Sequence, residues 1–99
     1  MDQDELAAII AKAGDEGWTD LDLSGKGLKC LPLEIGYLTA LTALDLSNNQ
    51  LTELPLLIGN LASLTTLNLH GNKLTKLPSG MKTLVDRGVV KLSGNPLKG

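Results

Sequence analysis

The chain of 99 residues has little of what catalysis or covalent stapling requires: one Cys, one His, one Trp, one Tyr and no Phe. Cys30 alone cannot form an internal disulfide, and no Cys/His spacing fits zinc. No G-x-x-x-x-G-K-[ST] phosphate loop is present, and His70 has no second His or activated nucleophile beside it in sequence. These absences argue against an enzyme, a cofactor or a metal site. Polar residues interrupt every Leu-rich stretch before it reaches the length of a membrane span. The segment Met1-Asp2-Gln3-Asp4-Glu5 is acidic where a secretory signal would be basic and then apolar, so a cytoplasmic location is expected. A net charge of −2 without clustered Lys and Arg argues against nucleic acid as a partner. That total conceals a gradient. Residues 1–45 carry nine acids and three bases, a net of −6, whereas residues 46–99 carry two acids and six bases, a net of +4.

What the chain has is Leu in a repeating frame. Its 42% apolar content suffices for one core. Successive copies begin at Trp18, Leu41, Leu64 and Arg87, a period of 23 residues, and the last copy is incomplete. Leu44, Leu46, Leu51, Leu54, Ile58 and Leu61 are answered by Leu67, Leu69, Leu74, Leu77, Met81 and Leu84. Within each copy Leu21-Asp22-Leu23, Leu44-Asp45-Leu46, Leu67-Asn68-Leu69 and Val90-Lys91-Leu92 alternate with the period of a strand that buries one face. The Pro-x-x-Ile-x-x-Leu portion then spaces its apolar residues by three, as in a short helical turn. A strand, a turn and a helical return make one coil. One coil cannot bury its own Leu face, so coils must stack with their strands parallel.

The template L-x-x-L-x-L-x-x-N-x-L-x-x-L-P-x-x-I-x-x-L over residues 18–97 resembles the leucine-rich-repeat family. Within it the chain is most similar to the 23-residue class with L-P-x-x-I-G-x-L, found in intracellular bacterial proteins and plant Ras-group-related repeat proteins. The segment from Glu16 to Ser24 looks like the opening of such arrays in cyanobacterial-type proteins, some of which carry a Ras-like GTPase downstream. The resemblance implies an α/β leucine-rich-repeat solenoid with a four-strand parallel concave sheet, short helical or 3-10 convex returns and an N-terminal capping helix. It also implies a non-catalytic module that binds a protein or peptide on its concave face. The alternative is a structural or self-associating scaffold segment of a larger signalling protein.

Asn49, Asn72 and Asn95 recur where each strand turns inward, and an amide there can satisfy buried backbone groups of two coils. The resemblance implies such an asparagine ladder. Lys26 takes the corresponding place in the first coil, which requires one side of that coil to be open or irregularly covered. Pro32, Pro55 and Pro78 fix φ as the chain leaves the turn for the convex return. Gly36 and Gly59 follow Ile35 and Ile58, but Lys82 replaces Gly in the third coil and predicts a more regular helix there.

An open solenoid exposes a slice of its core at each end unless something covers it. Residues 4–13 read as an amphipathic helix with Leu6, Ile9, Ile10 and Ala13 on one face, ended by Gly14 or Gly17. The expected organisation is therefore a capping helix over residues 1–17, three repeats over 18–86, and a partial repeat with a C-terminal cap over 87–99.

Residues flanking the inward Leu of each strand should form three rows across the concave face. These are Asp20, Ala43, Thr66 and Val89; then Asp22, Asp45, Asn68 and Lys91; then Ser24, Ser47, His70 and Ser93. Parallel neighbours lie about 4.8 Å apart, so Asp20, Asp22 and Asp45 concentrate negative charge suited to a basic partner. On the convex side Leu33, Tyr37, Leu56 and Leu57 are the candidate self-association residues, with a monomer or weak homodimer as the expected state.

Overall fold

In the computed structural model, which describes residues 1–97, the first helix, α1 (Gln3–Glu16), starts where the Asp2 carboxylate accepts the Glu5 N–H at 2.8 Å. That contact satisfies one of the donors a helix leaves open at its N-terminus. Asp4 and Glu5 in the first turn suit the helix dipole. The helix outruns the expected 4–13 at both ends and passes through Gly14. It stops at Gly17, which takes the left-handed conformation at φ 63° and returns its N–H to the Ala13 and Gly14 carbonyls. Leu6, Ile10 and Ala13 are buried by α1, and Ile9 is half-buried.

Four short strands follow: β1 (Asp20–Asp22), β2 (Ala43–Asp45), β3 (Thr66–Asn68) and β4 (Val90–Lys91). They form one parallel sheet in chain order. Leu21 pairs with Leu44, Leu44 with Leu67 and Leu67 with Val90, so each step in register spans 23 residues, as in 44 − 21. Between strands the chain returns through 3-10 turns at Leu33–Tyr37, Leu56–Asn60 and Ser79–Met81. Pro32, Pro55 and Pro78 precede them with φ of −71°, −65° and −64°. The third return continues into α2 (Lys82–Asp86), the helix that Lys82 predicts.

The core is a stack of aliphatic rows. Ile35, Ile58 and Met81 form one row, Leu38, Leu61 and Leu84 another, and all six are buried. A Cβ on Gly36 would come within 2.5 Å of the Leu57 carbonyl oxygen, and a Cβ on Gly59 would meet the Gly80 carbonyl still more closely. Only glycine lets consecutive returns approach so nearly. Lys82 occupies the same row in the last described return, where no further return stacks against it. The turn after each strand has a second constraint. Gly25, Asn48, Gly71 and Gly94 stand 23 residues apart, all with φ between 58° and 75°, a region open to Gly and, among other residues, favoured by Asn.

The asparagine rungs span coils as expected. Asn49 Oδ1 accepts the Lys26 and Leu28 N–H groups at 2.9 and 3.0 Å, while its Nδ2 donates to the Leu23 and Leu46 carbonyls. One and two coils on, Asn72 and Asn95 each accept one N–H, from Leu51 and Leu74, and donate to the carbonyls of two coils in the same way. Lys26 itself is exposed, its backbone N–H used by Asn49 and its carbonyl taken by the Met1 ammonium at 3.0 Å. Among the described residues α1, and not another coil, precedes it.

At the far end Arg87 stands where Leu41 and Leu64 stand in earlier coils. Its guanidinium donates to the Ala62 and Leu64 carbonyls, each at 3.1 Å. Val89, Val90, Leu92 and Leu97 pack partly buried against the core. Positions 98 and 99 of the expected closing segment lie outside the described residues. Among the described residues no helix is long and apolar enough to cross a membrane.

Candidate partner-binding surface

Strand alternation sends Leu21, Leu44 and Leu67 inward and leaves their neighbours on the opposite face. The register places Asp20, Ala43 and Thr66 side by side, and likewise Asp22, Asp45, Asn68 and Lys91. These residues, with Leu21 and Leu44 beneath them, line a shallow depression of about 520 Å³ across all four strands. Its β1 and β2 end is acidic, and its far end carries Lys91.

Asp22, Asp45 and Asn68 of the second row also fasten the turns that follow them. Asp22 Oδ1 accepts the Ser24 N–H at 2.9 Å and the Ser24 hydroxyl at 2.7 Å. Asp45 does the same for Ser47, at 2.9 and 2.6 Å. In the third coil Asn68 Oδ1 accepts the His70 N–H at 3.0 Å. The Ser24 hydroxyl and then its N–H hold the Asp22 carboxyl below the usual carboxylate range, outweighing the opposing effect of desolvation, with a lesser contribution from the Lys26 charge. These local donors relieve part of the cost of crowding Asp22 beside Asp45.

The third row divides. His70 and Ser93 are exposed, with His70 Nδ1 2.7 Å from Ser93 Oγ, and Ser24 is half-buried. Ser47 departs from the expectation of an accessible contact: it retains only 6% exposure, and its hydroxyl turns back to Asp45. On the convex side Leu33 is 50% exposed and Tyr37 and Leu56 are each 62% exposed. Leu57 differs from them. It is half-buried because its backbone lies against Gly36.

Among the described residues no group of three or more His, Cys, Asp or Glu side chains converges to hold a metal ion. Cys30 is exposed.

The stacked coils, the inward Leu of every strand and the shared Asn rungs agree with comparison to known proteins. A family model for leucine-rich repeats in two copies matches residues 39–80. The chain folds as a leucine-rich-repeat solenoid. Leucine-rich-repeat domains generally serve as protein-interaction modules. A solved leucine-rich-repeat protein of Leptospira interrogans is 40% identical over 81% of this chain, with a TM-score of 0.72. The chain spans 20% of that protein's length. Comparison with curated proteins finds no match.

Two features of this leucine-rich-repeat surface went unread in the sequence. The spacing Asp-x-Ser in Asp22 to Ser24 and Asp45 to Ser47 was a legible signal for side chains that fold back onto the next turn. An apolar groove beside α1 had no such signal, because it is lined jointly by α1 and the first convex return.

Proposed function

We propose that the chain is a non-catalytic recognition module that takes a basic peptide or protein surface on its concave face. The observation that carries this reading is the unbroken row Asp22, Asp45, Asn68 and Lys91, flanked by Asp20, over an accessible depression. Asp20, Asp22 and Asp45 attract the cationic end of the partner. Thr66, Asn68, Ser24 and His70 supply neutral hydrogen-bonding groups further along, and Ala43 leaves room between strands. Lys91 sets orientation by repelling the partner's cationic end. A cytoplasmic setting, where thiols stay reduced, suits the exposed Cys30.

The test replaces Asp22 and Asp45 together by Asn. Asn68 already fastens the same turn through Oδ1 in the third coil, so the double variant keeps the turns and loses two charges. Its affinity for a lysine-rich probe peptide should fall several-fold, with a shallower dependence on salt. Equal affinity and equal salt slope would overturn the reading.

The exposure of Leu33, Tyr37 and Leu56 favours a second reading, self-association through the convex face as a scaffold segment of a larger protein. Sedimentation of the parent beside a Leu33→Glu, Leu56→Glu variant separates the two. A parent that dissociates only on substitution supports self-association, and a parent that is monomeric throughout removes it.

A further inference from the structure

A groove lies between α1 and the first convex return, apart from the concave face. Its volume is about 340 Å³, near the lower end of the roughly 300–1,000 Å³ range of ligand pockets. That is room for one or two large side chains. Ala7 and Ala11 form the helix wall, Pro32 and Tyr37 the opposite wall, and Ile10 and Leu38 the floor. The walls are apolar, and Tyr37, the single tyrosine of the chain, stands mostly exposed at the mouth. A large amphipathic ring with little conformational entropy to lose is a common anchor in protein recognition.

Charge decides the occupant. Asp15 and Glu34 lie on the lips of the groove. Among the described residues the one ion pair is Lys82–Asp86, far along the axis, so neither lip carboxylate has a cation against it. The surrounding half of the chain, residues 1–45, carries nine acids against three bases and adds a long-range field of the same sign. An apolar trough with anionic lips complements an apolar side chain flanked by cations.

We propose that this groove binds a short basic segment of a partner protein, which inserts a leucine-sized side chain between α1 and Tyr37 and places Lys or Arg against Asp15 and Glu34.

The probe is a synthetic hexapeptide of two leucines flanked on each side by two lysines, titrated into the isotope-labelled chain while amide resonances are followed. Saturable shifts at Ala7, Ala11, Gly14, Tyr37 and Leu38 are expected. Ala11→Leu fills the trough while keeping a strong helix former at an exposed position, and it should weaken binding at least tenfold. Asp15→Asn with Glu34→Gln should weaken it several-fold and flatten its salt dependence. The saturable shifts at these groove amides should persist in Asp22→Asn with Asp45→Asn, whatever that variant does to binding on the concave face, so failure here is distinguishable from failure of the concave-face reading. Four outcomes would each overturn the proposal: shifts confined to Leu44, Leu67 and Asn68, parental affinity in Ala11→Leu, equal binding of a peptide with glutamates in place of the lysines, or no saturable shift. Groove amides that shift with protein concentration alone would overturn it too, because a second copy would then be the occupant.

Discussion

Asp22 and Asp45 do two jobs with one carboxylate each. One oxygen holds the following serine in its turn, and the charge remains on the concave face. For Asp22 the sign of the resulting pH dependence is fixed. Its folded carboxyl titrates below the ordinary value, chiefly through the Ser24 hydroxyl and then the Ser24 N–H. Its stabilising contribution is therefore complete above the ordinary carboxylate value and is lost as pH falls through the lowered one. Asp2, held down first by the Glu5 N–H, acts in the same direction. Thermal melts between pH 5 and pH 2 should show Tm declining in the parent and declining less in Asp22→Asn. The glycine row gives a sharper contrast. Gly59→Ala drives a methyl into the Gly80 carbonyl, so the returns must separate, at about 1–3 kcal/mol. Lys82→Ala, at the same place in the last described return, should leave stability nearly unchanged in a denaturant titration.

Among the elements, α1 shows how far sequence reasoning reaches. Its apolar face, its acidic first turn and its role as a cap were readable from Leu6, Ile10, Ala13, Asp4 and Glu5. Its length was not, because Gly14 reads as a stop and only tertiary contact shows it lying within the helix. A Cβ on Gly14 would sit 3.4 Å from Leu38 Cδ2, an ordinary contact. Gly14→Ala should therefore raise stability by about 0.5–1 kcal/mol through the entropy of the unfolded chain, visible as a Tm increase of several degrees. The strands were legible because Leu alternates with polar residues, and their register because each row recurs after 23 positions. Rows in register placed Asp20, Asp22, Asp45, Asn68 and Lys91 together before any coordinates were needed. Burial within a row was not legible. Ser47 is buried and Leu57 lies against Gly36 of the preceding coil, and alternation along one strand carries no information about what a neighbouring coil covers. The groove beside α1 was hidden for the same reason, since it belongs to two elements at once.

At the scale of the molecule, the coils form a one-dimensional stack in which each touches its immediate neighbours. The charge gradient runs along that stack, from the acidic N-terminal half to the basic remainder. The groove and the acidic end of the concave site, Asp20, Asp22 and Asp45, both fall on the acidic half. A partner with two basic segments could engage them together, gaining from effective concentration without any new contact. Removal of the lip charges and of Asp22 and Asp45 in one variant would then cost more than either change alone.

The asparagine rungs also act as clocks. The amide hydrogens of Leu28, Leu51 and Leu74 are each donated to a side chain belonging to the following coil, so none can exchange with solvent until two coils part. Asn49 and Asn72 are buried, whereas Asn95 is only partly so. Exchange into heavy water should therefore be fastest at Leu74 and slower at Leu28 and Leu51. Three amides, read in order along the axis, would report the direction in which the stack comes undone.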